Sequence, residues 1–212
     1  MTEYVTVRAP GEGEIIINKS RFICAAWPCA TEEEALGILR SEKERTRDAS
    51  HHCWAYILGA NMGQMRYSDD GEPGGTAGLP IIETMKARQV TNCLVIITRY
   101  FGGILLGAGG LTRAYRQSCK TALDAAGIVR MIPSLVLCCT VSYALADRVR
   151  QCLAALPVRV LDTQWGENVR LMYAVRVSDD AGAKEKLTQL CGGKAVFEKI
   201  REEMTAWEET GQ

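Results

Sequence analysis

Two stretches of this sequence carry side chains in patterns that chemistry can use. The first is Ser50-His51-His52-Cys53-Trp54, followed by Arg66-Tyr67-Ser68-Asp69-Asp70-Gly71-Glu72-Pro73. In an extended segment successive side chains alternate, so His51 and Cys53 face one way and His52 and Trp54 the other. One metal ion cannot then use them all. A single histidine with Asp69, Asp70 or Glu72 makes an acid–base pair or a hydrolytic site. The run lacks the Asp-x-Asp-x-Asp-Gly spacing of a calcium loop. The structural alternative is a turn at Asp69-Asp70-Gly71 whose carboxylates cap backbone N–H groups and hold the histidines. No catalytic residue is assigned. His51, His52, Asp69, Asp70 and Glu72 are the candidates, and neither a metal nor a cofactor is expected.

The second stretch is Thr98-Arg99-Tyr100-Phe101-Gly102-Gly103, continuing through Gly107-Ala108-Gly109-Gly110-Leu111 to Arg113. Between Glu83 and Asp124 the only charged residues are six cations, Lys86, Arg88, Arg99, Arg113, Arg116 and Lys120. Backbone N–H groups at a helix start attract anions, and glycines let a phosphate approach the backbone. Arg113 is expected in the first turn, where a cation opposes the helix dipole and a bound anion relieves the conflict. The candidate phosphate-binding set is therefore Arg99, Gly102, Gly103, Gly107, Gly109, Gly110, Arg113 and Arg116, with Tyr100 or Phe101 placed to stack a base. The alternative is that the glycines serve tight packing and Arg113 points to water. The loop has no Gly-Lys-Ser/Thr ending and not the dinucleotide-binding spacing.

The elements that must position these residues follow from periodicity. Strand patterns cover Tyr4 to Val7, Glu14 to Ile17 and Arg21 to Trp27, with turns at Gly11, Gly13 and Asn18. Thr31 with Glu34 forms a capping box that opens a helix, whose polar continuation, Ser41 to Asp48, is expected to run out into solvent. Strands are expected at Cys53–Gly59, Gln64–Ser68 and Cys93–Thr98, with a helix from Leu79 to Gln89. The clearest element is a helix from Gly110 to Ala126, closed by Gly127, with Leu111, Ala114, Tyr115, Ser118, Cys119, Ala122, Leu123 and Ala126 on one stripe. Past Pro133 the order is strand 134–141, helix 145–156, strand 159–165, strand 169–177, a helix to Leu190 and strand 195–200. That βαββαβ order predicts a ferredoxin-like domain. The division proposed is 1–132 and 133–212. The second domain shows no site, because Tyr173 alone does not make the aromatic platform of an RNA-recognition motif.

Composition leaves a folded enzyme or binding module. Of 212 residues, 47% are apolar and 24% charged, which excludes a disordered or low-complexity chain. Formal net charge is zero, so a general polycation is excluded although a local basic site is not. The nine cysteines form no Cys-x-x-Cys pair, and with two histidines neither a zinc finger nor a disulfide framework can be written. No apolar run is long enough to span a membrane, and a cytoplasmic location is expected.

The motifs His51-His52-Cys53-Trp54-Ala55-Tyr56, Ser68 through Gly78 and Thr98 through Leu111 occur in the order and spacing of the YigZ/IMPACT family, which the whole chain resembles. The resemblance implies an α+β architecture: a ribosomal protein S5 domain 2-like fold, then a small ferredoxin-like domain, a pair similar to the last domains of the ribosomal translocase, elongation factor G. It implies no enzyme activity. Eukaryotic members restrain the kinase response to amino-acid starvation by competing for the kinase's activator, and they carry an additional N-terminal domain. Here the motifs begin close to Met1, so that domain is expected to be absent and the kinase role not to transfer whole. The expected function is translation-associated binding of RNA, the ribosome or a translation factor through the glycine loop and basic helix. Two alternatives remain: an enzyme or binder of a small phosphorylated ligand using the loop with a His/Asp pair, and a pure protein-docking module.

Overall fold

Alternation along two strands decides how the first half of the chain is layered. The computed structural model describes residues 1–208. After β1 (Tyr4–Val7) come β2 (Gly11–Ile17), β3 (Ser20–Pro28), β4 (His51–Leu58), β5 (Gln64–Ser68) and β6 (Cys93–Tyr100). In β4, Cys53, Ala55 and Ile57 enter one hydrophobic core, while Trp54, Tyr56 and Leu58 enter another. β6 repeats the pattern, with Cys93, Val95 and Ile97 on one side and Leu94 and Ile96 on the other. Strands buried on both faces read as continuous apolar runs, and these two do. They occupy the middle of an antiparallel sheet in the order β2-β3-β6-β4-β5.

Each face of that sheet has its own helices. One is covered by α1 (Glu32–Arg45), which buries Ala35 and Leu39 against Trp54 and Tyr56. Thr31 caps this helix, its hydroxyl accepting from the Glu34 N–H at 3.2 Å, while the Glu34 carboxylate reaches the Ala30 N–H at 2.7 Å. The polar end of α1 does not run free into solvent. Lys43 and Arg45 form ion pairs with Asp70 and Glu12, and Thr46 is buried, because the sheet offers carboxylates within reach. The other face is covered by α2 (Gly78–Ala87) and α3 (Gly107–Ala126). All eight residues of the expected α3 stripe are buried, and Gly127 closes the helix at φ +69°.

α3 starts at Gly107 rather than Gly110, so Arg113 stands in the second turn and not the first. Glycine's poor helix propensity made this segment read as loop. Packing of the long apolar stripe carries the helix back through it. The resulting architecture is that of the S5 domain 2-like fold.

The chain divides into two compact units, Glu3–Arg130 with residues from Ala206, and Met131–Thr205 with Met1–Thr2. The second is built from β7 (Ile128–Val141), α4 (Tyr143–Ala154), β8 (Val158–Trp165), β9 (Val169–Arg176), α5 (Asp180–Leu190) and β10 (Val196–Glu208). In its sheet β10 pairs β7, β7 pairs β9 and β9 pairs β8, the ferredoxin-like order. β7 is longer than expected because it continues through Pro133. Its ladder with β9 begins at Ser134, so the missing proline N–H falls outside that ladder. Leu137, Val149, Tyr173 and Leu187 form the core under α4 and α5. No helix among the described residues is long and apolar enough to cross a membrane.

Leu123 is fully buried between α3 and the sheet. Leu123→Ala is expected to lower unfolding free energy by about 2–5 kcal/mol. Thr31→Ala, which removes only the cap, should cost about 0.5–2 kcal/mol. Urea midpoints for the two variants test the ranking.

Candidate functional site

Strand β4 sends its two histidines to different places. His52 turns toward α1, where Nε2 lies 2.8 Å from Thr46 Oγ1 and 3.1 Å from the Thr46 carbonyl. The Thr46 hydroxyl donates to the Glu42 carbonyl at 2.7 Å, so His52 Nε2 carries the proton. Burial lowers the pKa of His52 and outweighs the opposing pull of Asp70 and Thr46, leaving the ring neutral. His51 turns the other way. Its Nδ1 donates to the Asp70 carbonyl at 2.9 Å, which in the neutral ring leaves Nε2 as an acceptor.

The paired carboxylates hold backbone. Asp69 accepts from the N–H groups of Gly75, Ala77 and Gly78 at 2.8, 3.0 and 2.8 Å, fixing the start of α2. Asp70 accepts from Lys43 Nζ and from the His52 N–H, both at 2.7 Å. Neither carboxylate is hydrogen-bonded to the His51 ring, whereas His52 Nδ1 lies 3.8 Å from Asp70 Oδ2, beyond hydrogen-bond distance. Asp70 behaves as its partners dictate. Burial alone would raise its pKa, but the Lys43 hydrogen bond, the His52 N–H and the Lys43 charge together lower it.

Glu72 closes this turn, its N–H donating to the Asp69 carbonyl at 2.9 Å, but its side chain turns inward. Its Oε1 accepts from Arg99 Nη1 at 2.6 Å and from the Tyr115 hydroxyl at 2.8 Å, and both charged side chains are at most 5% exposed. Arg99 Nη2 donates to Ser20 Oγ at 3.2 Å. The guanidinium lies 5.4 Å from the Phe22 ring centroid and 5.6 Å from that of Phe101. Cys53 extends the chain of contacts, donating to the Asp69 carbonyl at 3.0 Å and lying 3.3 Å from the Tyr115 hydroxyl. Burial pushes the pKa values of Tyr115 and Cys53 far upward, so both stay protonated.

Of these groups Glu72, Arg99 and Phe101 line a cavity of about 380 Å³, with the others behind them. Its walls bring the three sequence motifs together: His51 from the first, Gly71, Glu72 and Pro73 from the second, Arg99, Phe101, Gly107 and Ala108 from the third. Leu105, Leu106 and Leu111 supply an apolar side. The first turn of α3, Gly107 to Gly110, has no side-chain cap and no acidic residue. Its leading N–H groups therefore have no partner within the helix.

The remaining candidates scatter. Gly102 serves packing, since a Cβ there would lie 2.1 Å from the Lys19 carbonyl carbon, and its N–H donates to Ser20 Oγ. Gly103 makes its turn at φ +82°. Tyr100 points to the opposite face and donates to Asp48 at 3.3 Å. Arg113 is exposed beside a smaller hollow of about 220 Å³ that it shares with Gly110 and Leu106, and Gly109 lies next to it on the helix. Arg116 pairs with Glu83 at 2.7 Å. Among the described residues no group of three His, Cys, Asp or Glu is placed to hold a metal ion.

Sequence reasoning missed Tyr115, Ser20 and Leu105 as parts of the site. A tyrosine in a stripe otherwise made of small or aliphatic side chains was the available signal for Tyr115, because a buried hydroxyl needs a partner.

Residues 18–123 match the Impact N-terminal domain, and residues 139–194 match a domain of unknown function (DUF1949). The chain is 36% identical over 192 residues to the IMPACT family member YvyE of Bacillus subtilis, covering 91% of this chain and 88% of that protein. It is 31% identical over 188 residues to the IMPACT family member YigZ of Escherichia coli, covering 88% and 92%. A solved structure described as that of a hypothetical protein superimposes with a TM-score of 0.60 at 30% identity, over 96% of this chain and all of that one.

The two lowered pKa values make the fold acid-sensitive. A His or Asp whose folded pKa lies below its unfolded value contributes stability that fades as pH falls. The loss should begin below about pH 6.5 for His52 and below about 3.9 for Asp70. Asp70→Asn should flatten the lower limb and retain the loss that starts near the histidine value. Melting temperatures across this range, for wild type and variant, check both limbs.

Proposed function

The chain belongs to the IMPACT family, and from that premise we propose that it acts in translation by contacting RNA, with the contact on α3, α2 and the glycine-rich loop. The observation that carries this reading is the outer face of α3. Arg113 and Lys120 are exposed one above the other at a seven-residue spacing, with Lys86 exposed on the adjoining α2. None of these three cations has an ion-pair partner among the described residues, whereas Arg88 and Arg116 are paired with Asp124 and Glu83. Unpaired cations along one helix face, with Arg113 nearest the uncapped start, attract a polyanion without an internal competitor.

Arg99 has a different part in this reading. Its charge is matched by Glu72 in the interior, so it positions the loop and does not hold a phosphate. Phosphate contacts fall to Arg113, Lys120, Lys86 and the backbone of 107–110. Of the two stacking candidates, Tyr100 and Phe101, it is Phe101, half-exposed and lining the cavity, that takes this role.

Arg113→Ala should weaken binding of a short labelled RNA and reduce the slope of log affinity against log salt by about one unit. Fluorescence anisotropy between about 50 and 200 mM salt measures both quantities. Unchanged affinity and slope would remove Arg113 and the α3 face from the contact. Absence of RNA binding at either salt would overturn the RNA reading itself.

A further inference from the structure

The cavity beside the basic face has a chemistry that a surface contact with phosphates does not use. Glu72 is its most telling group. Its side chain is 3% exposed, and Oε1 alone receives both Arg99 and Tyr115. Oε2 accepts no hydrogen bond from the described residues, and the residue lines the cavity. Oε2 is not sealed off but open to the cavity, where a ligand N–H can bond to it. His51 lines the same cavity, and with Nδ1 bonded to the Asp70 carbonyl its Nε2 is the ring nitrogen left for a ligand.

The other walls ask for different parts of a ligand. Phe101 has one neighbour in the Arg99 guanidinium and is still 48% exposed, so the ring can take a flat partner. The uncapped N–H groups at Gly107 and Ala108 ask for an anion. The volume, about 380 Å³, lies in the range of small-molecule sites, ~300–1,000 Å³. Inorganic phosphate would leave Glu72 Oε2 and the leucine wall unused. A sugar phosphate would supply the anion and hydroxyl donors but no planar ring for Phe101.

We propose that this cavity binds one nucleotide unit, with the base against Phe101, an N–H edge of the base on Glu72 Oε2 and His51 Nε2, and the phosphate at the start of α3. The unit is either a free nucleotide or an unpaired residue of an RNA strand. The second source rests on the RNA reading above; the first does not.

The test uses the full chain, the four ribonucleoside monophosphates, inorganic phosphate and a single-stranded RNA as probes, with calorimetric titration and anisotropy as readouts. Phe101→Ala is the main variant, because an exposed ring can be removed without opening the core, and an unchanged melting temperature confirms that. Glu72→Gln is the second variant, read only if it melts as the wild type does. Phe101→Ala should weaken mononucleotide binding about tenfold or more. Arg113→Ala should weaken RNA binding while leaving mononucleotides unaffected.

If Phe101→Ala weakens mononucleotides and RNA alike, the unit lies within the strand. Mononucleotide binding that depends on Phe101, with no RNA binding, sustains the cavity proposal and overturns the RNA reading. RNA binding that depends on Arg113 and ignores Phe101, with no mononucleotide bound, overturns the cavity proposal and sustains the RNA reading. Inorganic phosphate binding as tightly as any mononucleotide also overturns it, because the base would then contribute nothing.

Discussion

The ion pair between Glu72 and Arg99 is the constraint around which the site is organised. Both charges are almost wholly removed from water, and each would be strongly unfavourable there alone. The pair is held because Tyr115 and Ser20 supply further hydrogen bonds and because Phe22 and Phe101 lie beside the guanidinium. Those partners come from β3, β6, α3 and the segment that follows β5. The loop bearing Glu72 must therefore reach the end of β6, and α3 must present Tyr115 to the same point. The cavity is the space left above that junction.

A neutral floor changes what the surroundings do. Arg99 looks like a phosphate ligand by type and by its place in a glycine-rich run, yet its charge is answered from within. The field that remains near the cavity comes from the bare start of α3 and from cations on its outer face. Division of labour between an internal, pairing arginine and external, unpaired cations follows from burial alone. An exposed cation keeps its hydration and its availability, whereas a buried one must be matched to exist.

Much of this was legible in the sequence where local rules govern. The period of two along His51 to Trp54 assigned the histidines to opposite faces, and the structure places them so. The stripe from Leu111 to Ala126 and the box at Thr31 and Glu34 followed from helical spacing and capping chemistry. What stayed hidden depends on long-range pairing. Glu72 and Arg99 are 27 positions apart, and nothing near Glu72 marks it as different from the turn carboxylates beside it. The start of α3 was read late because four successive residues, three of them glycine, disguise a helix whose stability comes from packing further along. By local rules Lys43 and Thr46 belong to a solvated tail, because their partners, Asp70 and His52, stand on other elements.

β4 carries one more message, written in side-chain size. The face shared with α2 and α3 has Cys53, Ala55 and Ile57, and the face shared with α1 has Trp54, Tyr56 and Leu58. A strand that pairs one residue out of register turns every side chain to the wrong side. The adjacent histidines could be exchanged in such an error with little change of volume or polarity. Trp54 and Tyr56 could not, since neither fits where Cys53 and Ala55 sit in a close-packed interior. The bulk contrast at 53–56 thus acts as a proofreading device for the positions before it, telling the chain which of two identical imidazoles belongs to the cavity and which to the scaffold.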